Sequence, residues 1–177
     1  MIKRIIKAFY KVFMPPKMYA KYIGVKFGNN CLIATKNWSS EPYLIEIGNN
    51  VQITSNVFVH THGGGHVARY KEPNFDIFGK VVIKDGAYIG AYSQIMPGVT
   101  IGQGSLVAAG SIVTKSVPDG VVVAGNPAKI VCTVEKYIER NIKYNLGTKG
   151  LSAEKKKKVL LGMDASKFIQ KSNIKIN

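Results

Sequence analysis

The chain has 177 residues, 46% hydrophobic and 20% charged, which excludes wholesale disorder and leaves room for one compact domain or one repeat array with short appendages. Twenty-five Lys and Arg against ten Asp and Glu give a net charge of +15, and two cysteines, Cys31 and Cys132, exclude a disulfide scaffold and suit a reducing compartment. The start lacks the uninterrupted apolar run and cleavage site of a signal peptide, and no stretch approaches a membrane span, so a soluble, cytoplasmic protein is expected. The excess charge belongs to the ends. Residues 1–26 carry seven bases and no acid, residues 133–177 eleven bases and four acids, and residues 27–132 seven bases and six acids. Bases interleaved with aromatics, or mounted on a recognition motif, would indicate nucleic-acid binding; neither pattern is present.

The first element, within a segment 1–22, is a basic amphipathic helix. Ile2, Ile5, Ile6, Phe9, Val12 and Phe13 recur at helical spacing among Lys3, Arg4, Lys7 and Lys11, and Pro15-Pro16 ends the pattern. Its apolar face is expected to cap the end of the following repeat array; the alternative is peripheral contact of residues 1–13 with an anionic membrane surface.

A six-residue period follows, within residues 23–132. It starts at Phe27-Gly28 and Ile33, continues through Ile47, Ile53 and Val59, and resumes at Ile83, Ile89, Ile95, Ile101, Val107 and Val113. Four residues after each of the last six stand Ala87, Ser93, Val99, Ser105, Ser111 and Val117, all small or β-branched. Six is neither the helical period nor a simple alternation. It fits a short strand and a tight turn, with one aliphatic side chain inward, a small residue at the corner, and Gly or Asn taking the awkward backbone angles. Three such units close a coil of about eighteen residues, and stacked coils form an all-β solenoid of parallel strands; residues 27–132 have room for about six. Cys31 falls on a small inward corner and is expected to be structural.

Between Val59 and Val81 the period stops. The excursion, residues 60–80, reads HTHGGGHVARYKEPNFDIFGK and holds all three histidines, His60, His62 and His66. Polar excursions from a rigid scaffold commonly carry chemistry. By strand alternation His60 and His62 lie on the same side, so spacing does not separate them as candidate bases. Residues 133–177 read as a helical tail, with Ser152 as the N-cap of a helix running through Leu161.

The hexads resemble those of the hexapeptide-repeat acyltransferases, and the resemblance implies a left-handed parallel β-helix and a homotrimer. The string from Thr61-His62 through Asn74-Phe75-Asp76-Ile77-Phe78-Gly79-Lys80 is similar to the sugar O-acetyltransferases of capsule, lipopolysaccharide and colanic acid assembly, and Pro97–Val131 is similar to the wider group of maltose and galactoside acetyltransferases. What this implies is transfer from acetyl-CoA to a sugar hydroxyl, without a metal, in bacterial surface polysaccharide biosynthesis. A hydroxyl needs a base as it attacks a thioester, and the resemblance gives that role to His62, with His60 and Asp76 on the acceptor side. Asp, common in the family after this histidine, is replaced by Gly63; Asp76 is the candidate to orient the imidazole in its place. The resemblance places Ala91, Ala109, Thr114 and Lys115 on the pantetheine arm of the cofactor and Lys129 near its phosphates. The rival readings are an amino-sugar N-acetyltransferase, a zinc-dependent hydratase like the γ-type carbonic anhydrases using the three histidines, and a non-catalytic scaffold.

Overall fold

A computed structural model describes residues 2–173, with side chains for residues 5–173; Met1 and the side chains of residues 2–4 of the expected basic helix lie outside the described part. The described residues divide into one compact unit up to Val134 and a second from Glu135 onward.

The hexads build three parallel faces that the chain visits in turn. Face A stacks Lys26–Phe27, Ile45–Ile47, Val81–Ile83 and Thr100–Ile101; face C stacks Asn37–Trp38, Phe58–Val59, Gln94–Ile95 and Ile112–Val113. Face B stacks Leu32–Ile33, Gln52–Ile53, Tyr88–Ile89, Leu106–Val107 and Val121–Gly125, and ends on Ala128–Thr133. All neighbours run parallel except the last pair on face B, Val121–Gly125 with Ala128–Thr133, which is an antiparallel hairpin. Faces A and C therefore hold four strands each, fewer than the six coils the sequence length allows, because the excursion and the hairpin use the remaining residues.

Every aliphatic of the period from Ile47 onward is buried, and so are the small corner residues Ala87, Ser93, Ser105 and Ser111. Burying a branched aliphatic contributes about 1.5–3 kcal/mol, and a coil acquires that contribution only when neighbours stack on it. The corner hydroxyls find backbone acceptors: Ser93 Oγ donates to Ala108 O at 2.9 Å and Ser105 Oγ to Pro118 O at 2.6 Å. Cys31 is buried likewise, and its thiol donates to Gly48 O at 3.1 Å.

The turn of each hexad needs left-handed backbone. Gly86, Gly98, Gly104 and Gly110 take it, six or twelve residues apart, and Asn50 and Asn56 do so upstream. Tyr92 occupies the same place in the hexad with φ +61°, a conformation that bulky side chains avoid.

Two regular coils are eighteen residues apart, as Val82 pairs with Thr100 and Tyr88 with Leu106. The coil before them is irregular at two points. Lys26 pairs with Glu46, twenty residues on, with a short 3-10 turn Pro42–Leu44 inserted; Glu46 pairs with Val82, thirty-six on, because the excursion intervenes.

The N-terminal segment contains two helices, α1 (Ile2–Phe13) and α2 (Pro16–Ile23), the second starting at the proline that ends the first pattern. Ala20 and Tyr19 of α2 are buried, Ile23 packs on the core, and Val25 continues it. The cap expected of the first helix is thus supplied by α2. After the hairpin come α3 (Val134–Asn141), whose first residue ends the first unit, and α4 (Ala153–Leu161); Ser152 caps α4 by accepting from Lys155 N at 3.3 Å.

Candidate functional site

The end of the Phe58–Val59 strand continues its alternation into the excursion: Val59 and Thr61 point inward and are buried, while Phe58, His60 and His62 lie outward. The neck of the excursion is fixed by the antiparallel bridge between His62 and Phe78 and by Gly79 N donating to Thr61 O at 2.8 Å. The backbone of Thr61-His62 is therefore tied to the returning segment Phe78-Gly79.

Its side chain meets a carboxylate. Glu41 Oε2 lies 2.6 Å from His62 Nδ1 and also accepts from Thr61 Oγ1 at 2.8 Å, while Ser39 Oγ is 3.3 Å from the same ring nitrogen. A carboxylate facing Nδ1 assigns the proton to that nitrogen and leaves Nε2 with the lone pair, the form a general base requires. Burial pushes the Glu41 carboxyl up, yet the bonds from Thr61 and His62 and the nearby imidazole outweigh it and hold the carboxyl below its ordinary value of 4.5. The imidazole is 40% exposed and the carboxylate 17%, so the ring is more open to solvent than the acid beside it. The ring lines a cavity of about 340 Å³ with Gly63, Ile77, Phe78, Met96 and Pro97, and the Phe78 ring is 5.8 Å from the imidazole.

Asp76 is not the acid beside His62. Its carboxylate stands 3.6 Å from Arg69 Nη2, and Arg69 Nε also donates to Phe75 O at 3.0 Å, so Asp76 is engaged within the excursion itself. The carboxylate beside His62 is that of Glu41, from the inserted turn one coil earlier. The sequence signal for it was weak: Glu41-Pro42 sits off the hexad register, twenty-one residues from its partner.

His60 has a different setting. Its Nε2 is 3.2 Å from Gln94 Oε1 and its ring stacks near Phe58, so an amide rather than a carboxylate partners it. His66 lies on the exposed 3-10 turn Gly65–Ala68. Among the described residues, no three His, Cys, Asp or Glu side chains of the chain come together as a metal-holding group.

The five cofactor candidates divide between two edges and the hairpin. Ala91 and Ala109 follow face-B strands in register, so they stack at the edge between faces B and C, and Gly110 N donates to Ala91 O at 2.8 Å. A Cβ on Gly90 would run into the backbone of Ala109, so only glycine permits this close stacking. Thr114 and Lys115 follow the face-C strand Ile112–Val113 and are exposed at the edge between C and A, the edge that also carries His62. Lys129 is exposed on the closing hairpin, opposite Ala124. Within one chain, the alanine edge and the histidine edge are separated by the width of face C, on the order of 15–20 Å for five or six extended residues.

Comparison with known proteins agrees with this architecture. The bacterial transferase hexapeptide family (six repeats) matches residues 80–115. Protein CapG of Staphylococcus aureus is 45% identical over 143 residues, covering 78% of this chain and 83% of that protein. Galactoside O-acetyltransferase of Escherichia coli K12 is 33% identical over 119 residues, covering 66% of this chain and 58% of that one. Among solved structures, a galactoside acetyltransferase in complex with coenzyme A has the same fold, with a TM-score of 0.60 at 23% identity, covering 78% of this chain and 82% of that chain.

Proposed function

The chain belongs to the hexapeptide-repeat transferases and its solenoid is their left-handed parallel β-helix; from that premise we propose that it transfers an acetyl group from acetyl-CoA to a hydroxyl of a sugar in surface polysaccharide biosynthesis. The observation that carries the reading is the Glu41–His62 pair, in which a carboxylate faces Nδ1 and the imidazole lines a cavity.

The chemistry runs in one ternary complex. The acceptor hydroxyl attacks the thioester carbonyl as His62 Nε2 takes its proton, forming the new C–O bond and a tetrahedral oxyanion. The oxyanion collapses, the C–S bond breaks, and the imidazolium returns the proton to the departing thiolate. Glu41 stabilises the imidazolium and keeps the ring from rotating, and Thr61 fixes Glu41. The backbone N–H of Ala91 and that of Ala109 have no acceptor within the chain among the described residues, and they suit the amides of a pantetheine arm or the oxyanion.

A second copy completes the site in this reading. Placing the Ala91–Ala109 edge of one protomer against the His62 edge of the next brings donor and base together, and repeating that contact three times closes a homotrimer. Acetyl transfer to a panel of sugars, followed by mass shift, tests the proposal. The wild type is expected to acetylate at least one acceptor, and His62→Ala, folded and still binding CoA, to acetylate none; undiminished transfer by that variant would refute it.

A further inference from the structure

We propose that α1 is a membrane-surface helix that seats the protein on an anionic lipid bilayer through its outward apolar arc. At 3.6 residues per turn, Ile5, Ile6, Phe9, Val12 and Phe13 share one side of α1, and Lys7, Ala8 and Lys11 the other. A helix on a soluble protein turns the first kind of arc to the body. Here the orientation is reversed. Lys7, Ala8 and Lys11, themselves exposed, border a cavity shared with Tyr19, Lys36 and Trp38 of the body, and Ile5 is 63%, Phe9 56%, Val12 68% and Phe13 69% exposed on the side away from it. Two contacts hold the helix this way round: the Tyr10 ring meets Tyr22 at 4.8 Å, and Lys36 Nζ donates to Val12 O at 2.9 Å. The exposed rings of Phe9 and Phe13 lie 4.5 Å apart and make one continuous apolar surface.

Charge selects the occupant. The first forty residues contain no Asp or Glu, and among the described residues only Lys26 of their lysines has an acidic partner, Glu46 at 3.7 Å. Lys7, Lys11, Lys17 and Lys21 form a positive field with no counter-charge around an apolar strip. A protein groove would satisfy the strip alone; an anionic membrane satisfies both. A helix is about 10–12 Å across, and an interfacial helix sinks its apolar face about 5–10 Å, which brings Lys7 and Lys11 to the level of the lipid phosphates. No helix among the described residues is long and apolar enough to cross a membrane, so this contact is with the surface. The inference does not depend on the acetyl-transfer reading.

The test is flotation of the full-length protein with vesicles of phosphatidylcholine, with and without phosphatidylglycerol, in low salt. The wild type is expected to float with the phosphatidylglycerol vesicles. The double variant Phe9→Gln/Phe13→Gln should lose about tenfold or more of that partition, and Lys7→Gln/Lys11→Gln about fivefold or more, with a weaker salt dependence. Circular dichroism and sedimentation of each variant accompany the assay. Absence of flotation by the wild type, or flotation that the phenylalanine variant leaves unchanged, would overturn the proposal. So would a phenylalanine variant whose oligomer dissociates, since a second copy would then be what covers the arc.

Discussion

The regular coils from Val81 to Val113 and the irregular coil from Trp38 to Gly79 are made of the same repeat but serve different ends. In the regular part each six residues supply one buried aliphatic and one tight turn. The irregular coil departs twice, at the Pro42–Leu44 turn and at the excursion, and the two departures deliver Glu41 and His62 to the same point. An ideal solenoid gives rigidity without a polar constellation, because its inward places are apolar and its corners are occupied by Gly, Asn, Ser or Ala. Chemistry requires a residue out of register, and the adjacent regular coils hold such residues still.

The contrast can be broken at several points. The largest effect is expected from His62→Ala, which should lower kcat about 10³-fold with the melting temperature preserved, measured by steady-state acetyl transfer and thermal unfolding. In the regular part the pattern inverts: Ile95→Ala, at a fully buried site, should cost about 3 kcal/mol in chemical denaturation while leaving kcat of the folded fraction close to wild type. Glu41→Gln should lower kcat about 10²-fold with little change in the KM for acetyl-CoA, since it disturbs the tautomer and not the donor groove. The pH dependence sharpens the same point. Because the folded carboxyl of Glu41 lies below its ordinary value, its contribution to stability is present above about pH 4.5 and is lost as pH falls through the lower folded value; Glu41→Gln should remove that part of the acid loss in a pH series of melting temperatures. The smallest effect belongs to Tyr92→Gly. Relief of the left-handed tyrosine is partly offset by the entropy of glycine, leaving a gain of about 0.5–1 kcal/mol and a melting temperature higher by about 2 °C.

The solenoid was readable because one position in six must be aliphatic and the covalent chain must turn after it; the run from Ile83 to Val113 states that requirement six times over, and all six side chains are buried. Val121–Gly125 and Ala128–Thr133 looked like further coil because a β-branched run carries no information about strand direction. The Thr61-His62 pair stood out by composition and by resemblance. Glu41 did not. A carboxylate recruited from a preceding coil has no fixed sequence offset once a turn is inserted, and only the packing of one coil on another shows that its oxygen meets Nδ1. Asp76, nearer in sequence and inside the excursion, drew attention that Arg69 already claims. The direction of the α1 arc was equally invisible: periodicity defines an apolar face but not what it faces.

The account rests on Glu41 acting through His62 as one unit. Steady-state kcat for Glu41→Gln, His62→Ala and the double variant, each saturated with acetyl-CoA, decides this most directly. The double variant is predicted to be as slow as His62→Ala and no slower, because without the imidazole Glu41 has nothing to orient. A further fall of about 10²-fold on adding Glu41→Gln to His62→Ala would show that the two residues act independently, and would contradict the account.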